Sequence, residues 1–180
     1  MSMEKYNKIH FIGIGGISMS SLAEILKSKG KTITGSDGVA SNVTKALENI
    51  GIQVSIGQKA ENITPDTDLI VYTAAVKEDN PELMAARASG IETVDRAALV
   101  GMMMLEYKFP LSVAGTHGKT TTSSLVTEIF LEANTNPTVS IGGILPSIKG
   151  NYKVGGEDYF ILETCEYCDS FLKFNPHGAI

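Results

Sequence analysis

The chain has 180 residues, 43% of them hydrophobic: enough for one domain, or one and part of a second, and too apolar for a disordered tail. A net charge of −5 with no basic block excludes nucleic acid as a partner for the surface as a whole. No run of about 18 apolar residues exists to insert in a membrane, the polar start Met1 to Lys8 is not a signal peptide, and two cysteines make no disulfide framework, so a cytoplasmic protein is expected.

Lys8 to Ile14 reads as a buried first strand. The turn Gly13-x-Gly15-Gly16-x-Ser18 follows, then a helical pattern from Met19 to Lys29 with Leu22, Ile25 and Leu26 on one face, closed by Gly30. Thr32 to Thr34 gives a second strand that closes at Gly35-Ser36-Asp37. This is a βαβ unit with a glycine turn at its first junction and an acid at the end of its second strand. Ser18 stands where the third glycine of the dinucleotide fingerprint would be, and is small enough for helix–strand packing. Gly13, Gly15, Gly16, Ile17 and Ser18 are candidate contacts to a nucleotide or sugar phosphate. Asp37 is placed to accept hydrogen bonds from ribose hydroxyls or a base, the alternative being a solvated turn aspartate.

The alternation continues. Val43 to Asn49 reads as a helix, Gln53 to Ile56 and Leu69 to Tyr72 as strands, the latter ending in Thr73-Ala74-Ala75. Pro81 opens a helix over Glu82 to Ser89, Thr93-Val94 is a short strand, and Arg96 to Met104 a helix whose Met102 to Met104 fill core. Such alternation predicts a mostly parallel sheet covered on both faces, with ligands at the carboxyl ends of its strands. Gly13 to Ser18, Asp37 and Thr73 to Ala75 all fall at such ends and can line one crevice, with Thr73 and Ala74 the candidate contacts.

After a linker, Glu106 to Lys108, the strand Phe109 to Ala114 feeds Gly115-Thr116-His117-Gly118-Lys119-Thr120-Thr121, and a helical pattern runs from Ser123 to Ala133. Strand, glycine turn, Lys-Thr and helix make the layout of a phosphate-binding loop. The glycines let several backbone N–H groups converge on one point, where the helix N-terminus adds partial positive charge. Gly115 to Thr121 are the candidate ATP contacts: Lys119 would reach the outer phosphates as the catalytic cation, and Thr120 would offer its hydroxyl to Mg²⁺. The two glycines stand closer than in the common G-x-x-x-x-G-K-[ST] spacing, so a generic glycine turn is the alternative.

A strand over Thr138 to Ile141 ends in Gly142-Gly143, Pro146 to Gly156 reads as loop, and Tyr159 to Leu162 is a buried strand ending in Glu163. An acid at a strand end beside a phosphate loop is the expected second Mg²⁺ anchor, so Glu163 joins Thr120 as a candidate ligand; a solvated glutamate is the alternative. Cys165-x-x-Cys168 lacks a second pair and a ligand-spaced histidine, so it is not read as zinc. His10 and His177 show no constellation, and His117 shapes the loop rather than catalysing.

Gly-Thr-His-Gly-Lys-Thr-Thr resembles the ATP loop of the Mur ligase family, which builds the peptide of bacterial peptidoglycan and uses this shortened spacing. Gly-Ile-Gly-Gly-x-x-Met-Ser, Gly-Ser-Asp, Asp79-Asn80-Pro81-Glu82 and Arg96-Ala97 extend the resemblance to the whole chain. It implies an α/β protein: a Rossmann-like parallel-sheet domain over 1–105 that holds a UDP-sugar, then over 106–180 the first part of a P-loop ATPase-like domain. The implied partners are UDP-N-acetylmuramic acid and L-alanine. The implied cofactors are ATP and Mg²⁺. The muramic carboxylate attacks the ATP γ-phosphate to give an acyl phosphate, and the amine of L-alanine displaces phosphate to make the amide. Glu166 matches a family glutamate facing substrate. The departures are Ser18 and Ser21 for glycine, Gln58 for histidine, and Cys165 and Cys168 for aspartates.

Three rivals stay open: a family ligase that reattaches a recycled peptide to the same sugar nucleotide, an NAD-binding dehydrogenase fold, and a non-catalytic nucleotide-binding fragment. The resemblance implies that family members continue beyond Ile180 with more of the ATP domain and a third domain, so this stretch alone is expected to make no amide bond.

Overall fold

The computed structural model describes residues 3–164 and 173–180. The chain forms two compact units, Glu4–Leu99 and Val100–Ile180 with Met3. In the first, β1 (Lys8–Ile12), α1 (Ile17–Ser28), β2 (Thr32–Asp37), α2 (Asn42–Asn49), β3 (Gln53–Ile56), β4 (Leu69–Tyr72), α3 (Pro81–Ala88) and β5 (Glu92–Asp95) alternate, and α4 (Arg96–Met104) follows. The strands make one parallel sheet in the order β3-β2-β1-β4-β5. Chain direction across the sheet reverses between β1 and β4, the place where open α/β sheets leave a crevice for ligands.

Local chemistry explains these elements. Leu69, Ile70 and Val71 are fully buried in succession, as a parallel strand covered on both faces requires. The α1 stripe of Leu22, Ile25 and Leu26 is buried. Ser41 and Thr44 form a reciprocal capping box at the start of α2. Asn80 caps α3 by accepting from the N–H groups of Glu82 and Leu83, with Pro81 in the first turn. Ser18 and Ser21 are ordinary α1 residues, so neither needs the freedom of glycine.

The second unit contains β6 (Phe109–Val113), α5 (Lys119–Glu132), β7 (Thr138–Leu145), β8 (Gly150–Lys153), β9 (Tyr159–Glu163) and β10 (Gly178–Ala179). Its sheet runs β10-β6-β9-β7-β8, parallel except for the antiparallel β7–β8 pair. Three details differ from the sequence expectation. Helix α5 starts at Lys119, directly from the loop, because Gly118 takes the left-handed conformation (φ 78°) and serves as N-cap. Strand β7 continues through Gly142-Gly143 to Leu145, with a register irregularity between Ser140 and Leu145. The stretch 146–156, expected as loop, turns at Pro146–Ile148 and returns as β8. Among the described residues no helix is long and apolar enough to cross a membrane.

Candidate functional sites in the two units

A cavity of about 730 Å³ opens at the carboxyl ends of the first sheet. It gathers Gly13, Gly15, Gly16, Asp37 and Thr73 from three different strand ends. The Ser36 carbonyl accepts from the N–H groups of Gly13 (2.8 Å) and Ile14 (2.9 Å), pinning the glycine turn to β2. Asp37 Oδ2 accepts from the Gly15 N–H at 2.9 Å. A side chain at Gly15 would meet that carboxylate oxygen at 2.8 Å. Gly13 has φ 83°, and its missing Cβ leaves room for the Thr73 methyl 2.5 Å away.

Ile17, Ser18 and Ala74 stand outside the cavity lining, whereas Ala75, from the same strand end, is in it as expected. Ser18 instead accepts from Arg96 Nη1 at 3.1 Å, which holds a guanidinium beside the first turn of α1. Sequence reasoning missed Val39, Ser41 and Asn80 as lining residues; Gln58, where the resemblance implied a possible substrate contact, lines the cavity too. For Asn80 a signal existed, since Asn-Pro-Glu ahead of an apolar run marks a capped helix start. Asn80 Nδ2 donates to Gln58 Oε1 at 2.7 Å, which orients the glutamine.

In the second unit the loop leaves the end of β6 and enters α5. Gly115 (φ 142°) and Gly118 supply the unusual backbone angles of its curl. Thr116, His117, Gly118, Thr120 and Thr121 are exposed along it. Lys119 Nζ donates to the Gly115 carbonyl at 2.6 Å and so folds back over the loop.

Val113 and Glu163 are partners across the parallel β6–β9 pair, so the acid sits beside the loop. The Thr164 N–H and hydroxyl both donate to the Val113 carbonyl, fixing that strand end. Thr120 Oγ1 donates to Glu163 Oε1 at 3.1 Å. Glu163 Oε2 accepts from the Gly142 N–H (3.0 Å) and from Ser123 Oγ (3.3 Å). The glycine pair makes this possible: a Cβ on Gly142 would meet Glu163 Oε1 at 2.8 Å, and one on Gly143 would meet the Thr120 methyl at 2.8 Å. One carboxylate and one hydroxyl beside a phosphate cradle are hard oxygen donors of the kind Mg²⁺ takes together with nucleotide phosphates. Glu166, Cys165 and Cys168 lie outside the described residues.

Residues 8–108 match the family model described as "Mur ligase family, catalytic domain". The chain is 58% identical over 172 residues to a UDP-N-acetylmuramate–L-alanine ligase of Agathobacter rectalis, and 53% identical over 178 residues to one of Clostridium botulinum. These alignments take in 96% and 98% of this chain but 38% and 39% of those relatives. The fold is similar to the crystal structure of the UDP-N-acetylmuramate–alanine ligase of Thermotoga maritima: TM-score 0.86 and 36% identity over 96% of this chain and 40% of that one. It is also similar to the UDP-N-acetylmuramate:L-alanyl-γ-D-glutamyl-meso-diaminopimelate ligase of Neisseria, with TM-score 0.87 and 28% identity over 97% of this chain and 59% of that one. With more than half its length matched by the family model, the chain belongs to the Mur ligase family.

Proposed function

We propose that this chain supplies the nucleotide-sugar site and the ATP loop of a ligase that joins L-alanine to the carboxylate of UDP-N-acetylmuramic acid, in peptidoglycan synthesis. The observation that carries the reading is the Thr120–Glu163 contact of 3.1 Å beside the Gly115–Thr121 loop. A dehydrogenase has no use for a phosphate loop with a paired hydroxyl and carboxylate. Residues 1–105 hold UDP-N-acetylmuramic acid, and 106–180 begin the ATP-binding domain. The same reading puts the protein in the cytoplasm, where ATP is at hand.

In this mechanism Gly13, Gly15 and Gly16 admit the diphosphate close to backbone, and Asp37 takes ribose or base donors through lone pairs that Gly15 leaves available. Lys119 leaves the Gly115 carbonyl for the outer phosphates of ATP. Thr120 and Glu163 would hold Mg²⁺, which would supply charge neutralisation at those phosphates. A muramic carboxylate oxygen attacks the γ-phosphorus; the new O–P bond forms as the bond to ADP breaks. The amine of L-alanine then attacks the acyl carbon, loses a proton, and phosphate leaves. The chain's contribution is positioning and charge neutralisation.

The peptide-attaching ligase is a rival with nearly the same TM-score, so the fold does not discriminate between the two. Sequence identity favours alanine, at 36% against 28% among the solved structures. Calorimetry on the 180-residue chain with UDP-N-acetylmuramic acid and with NAD tests the first unit. Tighter binding of NAD would overturn the reading.

A further inference from the structure

Behind the crevice wall lies a cluster of polar side chains that the chemistry above does not use. Glu82, the second residue of α3, is fully buried. His10 Nε2 lies 2.8 Å from its Oε1, and Ser36 Oγ donates to its Oε2 at 2.6 Å. His10 Nδ1 lies 2.8 Å from Thr34 Oγ1. His10 and Ser36 are themselves 3% and 0% exposed. Both ring nitrogens of His10 and both carboxylate oxygens of Glu82 thus have a partner. None of Glu82, His10 or Ser36 is among the residues that line the cavity.

The arrangement joins three walls of the crevice. His10 stands on β1, which leads into the glycine turn. Ser36 stands at the end of β2: its carbonyl receives the N–H groups of Gly13 and Ile14, and the next residue is Asp37. Glu82 stands one residue after Asn80-Pro81, both of which line the cavity. One carboxylate therefore ties the helix that carries one wall to the strand that holds the other two. Apolar side chains of similar size in place of the whole cluster would fill the same space, and replacing hydrogen-bonded partners together by apolar groups of the same shape can be nearly neutral or stabilising. Packing alone gives no reason for a carboxylate here; fixing the register of three elements does.

We infer that Glu82, gripped by His10 and Ser36, is a positioning residue that sets the Gly13–Gly16 turn and Asp37 against the α3 start for nucleotide-sugar binding. The inference rests on the nucleotide-sugar reading of the crevice. It is tested on the 180-residue chain with Ser36→Ala, Glu82→Met and Glu82→Gln. Two quantities are measured: affinity for UDP-N-acetylmuramic acid by calorimetry, and amide hydrogen exchange by NMR without ligand.

Ser36→Ala is expected to weaken binding ~5-fold and Glu82→Met ~10-fold, the scale of one typical net hydrogen bond, since the cluster acts on the ligand only through position. Glu82→Gln, which can accept from His10 and donate to Ser36, stays within ~3-fold of wild type. Exchange speeds up at Gly13, Ile14 and Gly15 but not at Ile9 and Phe11 of the β1 ladder. Wild-type affinity and protection in Glu82→Met would overturn the inference. Loss of protection spread equally over Ile9 and Phe11 in Ser36→Ala, a variant lacking a single hydroxyl, would also overturn it, since that marks a purely structural role. If wild type fails to bind the sugar nucleotide, the functional reading falls, while the exchange pattern still decides whether Glu82 sets the turn.

Discussion

Thr120 Oγ1 donates to Glu163 Oε1 across 3.1 Å although 43 residues separate the two in the chain. The contact follows from parallel pairing. The loop leaves β6 at Val113, and Glu163 is the register partner of Val113 on β9. In Glu163→Gln both oxygen-bearing groups keep their places, since Gly142 N–H and Ser123 Oγ can still donate to an amide oxygen, but the negative charge is gone. The expected outcome is unchanged folding and at least ~10-fold weaker Mg²⁺ dependence of ATP binding, the lower end of what perturbing a metal site costs. Calorimetric titration of ATP at stepped Mg²⁺ concentrations reads this. An unchanged Mg²⁺ midpoint would remove Glu163 from the metal site.

Lys119 presently bonds the Gly115 carbonyl at 2.6 Å, within the curl that a phosphate would fill. Removing a preorganised charge-stabilising group costs about 10²–10³-fold in turnover. Lys119→Ala in a longer ligase carrying this sequence is therefore expected to lower turnover by at least ~10²-fold. Near-normal turnover would make the loop structural only.

Much of the architecture was legible because the chain punctuates itself. Apolar runs such as Leu69 to Tyr72 are bounded by turn residues, and Gly-Lys-Thr follows a strand and opens a helix. What escaped has physical reasons. Gly142-Gly143 reads as a stop, yet β7 needs small residues there because Glu163 and Thr120 press against them. The helical pattern is legible only from Ser123, yet a left-handed Gly118 starts α5 at Lys119. His10 has no partner near it in sequence; Glu82 lies 72 residues away and meets it only when α3 packs on the sheet. Local patterns cannot announce a bond of that range.

The two glycines at the start and end of the first βαβ unit should respond differently to alanine. At Gly15 the new methyl meets the Asp37 carboxylate, the far end of a side chain that can swing away. Gly15→Ala is thus expected to fold with a loss of about 1 kcal/mol while UDP-N-acetylmuramic acid binds ~10-fold more weakly, because Asp37 gives up its bond to the turn. At Gly35 the methyl meets the Phe11 carbonyl at 2.8 Å and the Ile14 side chain at 2.6 Å, inside the core. Gly35→Ala is expected to lose about 1–3 kcal/mol of stability. Thermal melts and calorimetry on both variants check the contrast; equal affinity in wild type and Gly15→Ala would detach Asp37 from the site.

The first strand is also anchored by charge at its beginning, and that anchor titrates. Asp68 Oδ2 accepts from the N–H groups of Asn7 and Lys8, each at 2.8 Å, and these bonds hold its carboxyl below the ordinary value of 3.8. Asp66 pairs with Lys8 Nζ at 2.6 Å; that hydrogen bond, then one from Thr64, lowers its carboxyl to about 2. A depressed folded-state pKa means that the unfolded chain binds protons first as pH falls. The stabilisation is therefore fully present above the ordinary 3.8 and is lost as pH drops toward about 2. Asp66→Asn with Asp68→Asn is expected to lower the melting temperature at neutral pH, and to leave a shallower decline than wild type between those two values. Melting curves across that range decide it, since parallel declines in the two proteins would mean that other carboxylates carry the acid sensitivity.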